Sequence, residues 1–187
     1  MKKTSFPFIF SLIVAAVISH WQWFDFSSVL NFSDWYYWPD QPTRQLLGSW
    51  GTWVNFWNFG SGNIQLYFTV FNSVWSLITS AGFSYDVATK VTFFIPIALL
   101  GFLSPFFLSR KLIGSRLIAF VVALFYGTTT YFLLKQSAHL PIALVYSLLP
   151  LLFLFFLKAL EENVFFRWMQ FTLLFWLMSV YEVRIVY

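Results

Sequence analysis

Apolar residues in this chain come in runs too long and unbroken for the alternation of a half-buried strand or the narrow stripe of a soluble amphipathic helix. A membrane-crossing helix needs roughly 20 mostly apolar residues. Runs of that kind extend from Ser5 to Trp23, Val91 to Ser109, Leu117 to Leu134, Leu140 to Leu157 and Val164 to Tyr181. A further run, residues 64–83, is long enough to cross but carries Gln65, Thr69, Asn72, Ser73, Ser76, Thr79 and Ser80 at helical spacing. That spacing predicts an amphipathic helix lying in the membrane interface. The pattern therefore predicts an all-α fold, a polytopic transmembrane helical bundle of about five spans, each near the length a bilayer requires. Residues 1–187 form one transmembrane domain in this reading, expected to be the N-terminal part of a longer protein, because the chain stops at Val183-Arg184-Ile185-Val186-Tyr187 without a polar tail.

Charge decides between topologies. If residues 64–83 do not cross, Lys2, Lys3, Arg110, Lys111, Arg116, Lys158 and Arg167 fall on one side and only Arg44, Lys90, Lys135 and Arg184 on the other. If they do cross, every later loop inverts and the bias disappears. The positive-inside rule therefore places residues 64–83 on the outer leaflet and the N-terminus in the cytoplasm. The first run also fits a secretory signal peptide with Val17-Ile18-Ser19 as a small-residue cleavage site. Trp21 and Trp23, which follow directly, fit instead an aromatic belt anchoring an uncleaved helix. Both readings send residues 25–63 outside.

Composition sharpens the class. Hydrophobic residues make up 59% of the chain and charged ones 10%, and the mean hydropathy is +0.73, which excludes an ordinary soluble domain and a disordered chain. There is no cysteine, hence no disulfide framework and no thiolate chemistry. The net charge of +4 is too scattered for a nucleic-acid surface.

Residues 25–63 are then the place to look for chemistry, since long loops in compact proteins are usually functional or disordered. Trp35, Trp38, Trp50, Trp53 and Trp57 argue for a folded cap packed onto the membrane surface. The cap carries Asp25, Asp34, Asp40 and Arg44. Asp34 is flanked by Phe32 and by Trp35-Tyr36-Tyr37-Trp38, surroundings that raise a carboxyl pKa towards the range of a general base. The alternative is an ordinary helix N-cap, a role that suits Asp40 better, with Pro42 two residues on. Other polar residues at the outer ends of the spans are His20, Asp86, Lys90, Lys135, His139, Glu182 and Arg184. His20 reads as a hydrogen-bonded interfacial residue. His139, in the short outer turn Lys135-Gln136-Ser137-Ala138-His139, is placed to face the cap, and Glu182 and Arg184 pair with each other or with a ligand. No metal-ligand spacing, Gly-rich phosphate loop or nucleophile triad occurs, so no cofactor is expected.

The order of parts resembles the N-terminal portion of the GT-C superfamily of polytopic membrane glycosyltransferases, in particular YfhO-like and polyprenyl- or dolichyl-phosphate-sugar-dependent members. Ser33-Asp34-Trp35 with Tyr37-Trp38-Pro39, and Trp50 or Trp57 with Asn58-Phe59-Gly60, carry the likeness in the outer loop. Arg110-Lys111-Leu112, and His139 with Leu149-Pro150-Leu151-Leu152, carry it further on. The family's acidic doublet in the first outer loop is absent here. The resemblance implies an inverting transfer of sugar from a polyprenyl-phosphate donor to an acceptor at the outer face of a prokaryotic plasma membrane. It further implies Asp34 as the catalytic base and a cation from Arg44, Lys135 or Arg184 on the phosphate, with His139 and Glu182 beside the substrate. Expected partners are membrane lipid and the lipid-linked sugar, not nucleic acid. A lipid or solute transporter should instead place ionisable residues inside the spans, and the interiors of spans two to five hold none, Arg167 standing near one end of the fifth. A non-catalytic membrane assembly subunit is the third class.

Overall fold

The structure, a computed structural model, describes residues 5–27, 53–54, 61–62, 74 and 77–181. Helix α1 (Phe6–Ser19) starts with a proline in its first turn, where the missing N–H costs nothing. It ends at His20, and a short α2 (Trp21–Phe24) follows. Within the segment read as a cap, Trp53–Val54 (β1) and Ser61–Gly62 (β2) pair antiparallel, Trp53 opposite Gly62. The other described elements are helical. Of the run read as an interfacial helix, Val74 and residues 77–80 are helical, and the rest lies outside the described residues.

Ser84 caps the next helix, its hydroxyl accepting from Val87 N at 3.3 Å. Here α3 (Tyr85–Thr89) passes through a π-helical turn, Lys90–Phe94, into α4 (Ile95–Ile113), and Gly114 at φ +77° ends it. From Asp86 to Ile113 this is one apolar helix of 28 residues. The span read as Val91 to Ser109 is therefore longer at both ends, and Lys90 is built into it rather than preceding it.

The run read as one span from Leu117 to Leu134 is broken. Helix α5 (Arg116–Gly127) and α6 (Thr130–Ala138) meet at 49°. Thr128 Oγ1 donates back to Leu124 O at 2.7 Å, and the Thr129 hydroxyl accepts from Phe132 N as the N-cap of α6. Hydroxyls that bond the local backbone compete with helix continuation, so adjacent threonines end one helix and start another. Phe8 near the start of α1 packs on Phe120 of α5 at 5.7 Å, and His20 at its end bonds Gln136 of α6. Helix α1 thus meets α5 along its length and α6 through His20 at its end.

Helix α7 (Leu140–Glu162) is the second long apolar helix, closed by Asn163 at φ +44°, and α8 (Phe165–Tyr181) packs against it. By length and composition, two helices among the described residues can cross a membrane, or three with the bent pair counted as one. At 14 and 17 residues, α1 and α8 are shorter. At roughly 1.5 Å per residue, α1 reaches about 21 Å, less than the hydrocarbon thickness of about 30 Å.

The packing is that of membrane helices. Where helices meet, Ala16, Ala98, Gly101, Ser104, Ala119, Ala123, Gly127, Ala143 and Ser147 are buried, small residues that let backbones approach. Beside a core that includes Phe93, Phe94, Phe102, Phe106 and Phe132, many other large apolar side chains point outward, among them Phe6, Ile18, Phe125, Leu134 and Phe165, as lipid contact permits and water does not. A Cβ on Gly127 would lie 2.7 Å from the Phe102 ring, and one on Gly101 would lie 2.5 Å from that of Phe132. Helix α4 is central, packing on α1, α5 and α7. These features fit an integral membrane protein.

Charge sorts the two ends of the bundle. One holds Arg110, Lys111, Arg116, Lys158 and Arg167, with Lys111 paired to Glu161 at 2.5 Å and Arg167 to Glu162 at 2.7 Å. His20, Asp25, Lys90, Lys135, Gln136 and His139 lie at the other.

Candidate functional site

Two polar assemblies stand at the His20 end. The first is built where α1 runs out. Ser19 Oγ lies 2.7 Å from Ala15 O and 2.8 Å from His20 Nδ1, and His20 Nε2 lies 3.0 Å from Gln136 Oε1. His20 Nδ1 also lies 3.2 Å from Ala16 O, so the ring is held from both nitrogens. Trp23, with ring centroids 4.5 Å apart, and Phe102, at 6.3 Å, pack against the imidazole. His20 and Gln136 are both buried, and one end of the Gln136 side-chain amide has no hydrogen-bond partner among the described residues. Beside it opens a cleft of about 320 Å³, lined by Ser19, His20, Trp21, Trp23, Leu133 and Gln136 among others.

The second assembly is Lys90. Only 1% of this residue is exposed, although it belongs to a membrane-length helix. Its ammonium donates to Asp25 O and lies 5.8 Å from the Phe26 ring centroid. Asp25 itself makes a local turn, its Oδ1 accepting from Ser27 N at 2.9 Å and Ser27 Oγ at 2.6 Å. Asp86, one turn earlier on the same helix, places a carboxylate at the spacing that supports a lysine. Lys90 thus fastens the end of α2, and the chain leaving it, to the start of the central helix.

Of the residues predicted to form the site, Lys135 and His139 are described, and Asp34, Arg44, Glu182 and Arg184 lie outside the described residues. Residues 135–138 are not the outer turn expected but the last turn of α6, with His139 as the hinge into α7. The helix continues because nothing in Lys135-Gln136-Ser137-Ala138 breaks it, and Pro141, in the first turn of α7, forces the stop. Lys135 Nζ lies 5.7 Å from the Tyr131 ring. Among the described residues no group of three His, Cys, Asp or Glu side chains converges as a metal site would require.

Sequence reasoning placed His20 correctly as a hydrogen-bonded residue at a span end. It did not single out Gln136 or the burial of Lys90. The signal for Gln136 is its position four residues after Phe132, a fully buried ring on the same helical face. For Lys90 it is the helix start at Ser84, whose capping hydroxyl puts everything after it inside the helix.

No family model, curated protein or solved structure matches this chain.

Proposed function

We propose that the protein is a membrane glycosyltransferase that moves a sugar from a polyprenyl-phosphate donor to an acceptor at the outer face of a prokaryotic plasma membrane, with its N-terminus in the cytoplasm. One observation supports this reading above others. Buried His20, Thr89, Lys90 and Gln136 stand at the end where the chain enters residues 25–63, the segment carrying Asp34 and Arg44, while Ser104 and Ser147 are buried mid-bundle and the opposite end carries Ser109 and surface ion pairs. In the proposed reaction Asp34 takes the proton of the acceptor hydroxyl. The acceptor oxygen then bonds to the anomeric carbon as the bond to phosphate breaks, and polyprenyl phosphate leaves with the electron pair. Lys135, on the same helix as Gln136, is the described cation available to the leaving phosphate, with Arg44 and Arg184 as further candidates and His139 and Glu182 beside the substrate.

The test uses the full protein in vesicles containing the lipid-linked sugar. Asp34→Asn is expected to lower turnover by roughly 10² or more, since a positioned general base contributes on that scale, with protein abundance unchanged. Near-normal turnover in Asp34→Asn overturns the assignment of the base, and loss of transfer in Asp40→Asn alone moves it to Asp40.

A second reading, transport of a lipid or solute, is favoured by two specific features. A buried lysine inside a membrane-length helix and a helix broken at Thr128–Thr129 are both hallmarks of substrate pathways in transporters. Passage of lipid or solute without sugar transfer, lost in Lys90→Met, would select it.

A further inference from the structure

We propose that the tight turn joining α4 to α5 binds an anionic phospholipid of the leaflet in which it lies, with the phosphodiester on Arg110 and Arg116 and the acyl chains along Leu112 and Leu117. The turn is at the end of the bundle opposite residues 25–63, and the proposal is independent of any role for Asp34.

The described charges are unevenly shared between the two ends. At the His20 end Lys90 and Lys135 are matched in number by Asp25 and Asp86, whereas Arg110, Lys111, Arg116, Lys158 and Arg167 share their end with only Glu161 and Glu162. Those two carboxylates are already committed, Glu161 to Lys111 and Glu162 to Arg167. Arg110 and Arg116 are half-buried and meet no carboxylate among the described residues. A cation in the first turn of a helix opposes the macrodipole, and no acidic residue offsets Arg116 in the first turn of α5. Topology asks for cations at one end of a bundle, but not for two of them to flank a single turn unpaired.

The turn is built for lipid rather than water. Only Gly114 and Ser115 separate the two helices, so the chain reverses without reaching out into solvent. Leu112 is 60% exposed and Leu117 63%, and Ile113 and Ile118 are about half exposed. Four such side chains around a two-residue turn are costly in water and at home against acyl chains. Arg110 and Arg116 lie within one helical turn of these residues, and a long stem lets an arginine carry its charge from apolar surroundings to head-group depth.

The chemistry selects the head group. A guanidinium fork matches two oxygens of a phosphodiester. A zwitterionic head group brings its own ammonium to its phosphate, whereas an anionic one adds net negative charge where the bundle has a surplus of positive. A soluble phosphate would leave the leucines uncovered, so charge and apolar surface together select the lipid.

The experiment holds the full chain in dodecyl maltoside with equal amounts of dioleoyl phosphatidylglycerol and dioleoyl phosphatidylcholine, which share their chains. Retained lipid is read by native mass spectrometry. A cation at an anionic head group is worth about fivefold in binding, so the wild type is expected to prefer phosphatidylglycerol about 25-fold, and Arg110→Gln and Arg116→Gln each to lose about fivefold of that. Lys158→Gln removes the same charge from the same end without touching the turn or breaking an ion pair, and should leave the preference nearly unchanged. Glycerophosphoglycerol in excess, the same head group without chains, should not displace the lipid. No preference in the wild type overturns the proposal. An equal loss in Lys158→Gln also overturns it, in favour of the field of the whole end, and displacement by glycerophosphoglycerol overturns it in favour of a soluble anion. Melting temperature in detergent shows which variants fold. Either arginine variant alone carries the comparison with Lys158→Gln, and the wild-type preference is a test without them.

Discussion

Pro150 lies inside α7 and has no N–H to offer the carbonyl of Tyr146 one turn back. Tyr126 of α5 supplies the missing donor, its hydroxyl lying 2.7 Å from Tyr146 O while the two tyrosine rings stack at 4.5 Å. In hydrocarbon a freed carbonyl has no water to turn to, so a neighbouring helix must satisfy it. Tyr126→Phe is expected to cost about 1–3 kcal/mol, the range for orphaning a buried group. In a Pro150→Ala background, where the helix can satisfy its own carbonyl, the same substitution should cost distinctly less. Chemical denaturation of the four proteins in detergent gives this coupling, and equal costs in both backgrounds would show that the two residues act separately. Gly127 is constrained by space in the same neighbourhood. Phe102 is 1% exposed and its ring occupies the position a Cβ would take, so Gly127→Ala should destabilise by about 1–3 kcal/mol through overpacking. The control Gly114→Ala meets no neighbour within 4 Å, and its penalty comes from φ +77° alone.

At the scale of elements, the break between α5 and α6 is a local event with long-range consequences. The hydroxyl of Thr129 caps α6, and it also lies 3.4 Å from Tyr146 Oη, tying the break to α7. Thr129→Ala removes the cap and is expected to lower stability by about 1 kcal/mol, read as a fall in melting temperature. Thr129→Ser keeps the hydroxyl and should restore most of it. If Ser and Ala are equally destabilising, the methyl group rather than the cap holds the break. The π-helical turn at Lys90–Phe94 is a second departure from regular helix, and it coincides with the buried ammonium that holds Asp25. Such turns concentrate where a helix carries a functional or strained position.

For the whole molecule, the decisive property is which residues share an end. The chain has no cysteine, so each introduced thiol is a single reporter. Ser115→Cys and Asn163→Cys, at the end carrying Arg110 and Arg167, are expected to label from one side of the membrane, and Ser137→Cys from the other. Labelling of Ser115→Cys and Ser137→Cys from the same side would make α5 and α6 a re-entrant pair. The Lys111–Glu161 pair at the first end is half exposed, so Glu161→Gln should alter stability by less than about 1 kcal/mol.

The part legible in the chain is local: which stretches are apolar enough to leave water, and which polar groups fall at their ends, whereas the starts at Ser84, Ser115 and Thr129 and the stops at Gly114 and Asn163 emerged with the structure, although the physics of each is local too. Each rests on one residue and its near neighbours, through transfer free energy, capping or backbone conformation. The chain could not by itself say which helices are adjacent. Lys90 read as an outer cation until Asp25 and the central helix closed around it. His20 and Gln136, 116 positions apart, became partners only because the end of α1 meets α6. Of the candidate site, Lys135 and His139 were legible as polar groups at one end of the bundle. Gln136 was not, because three polar residues in succession look alike until packing buries one of them. Tertiary structure decided that choice, since only the approach of His20 at the end of α1 covers that amide and bonds it.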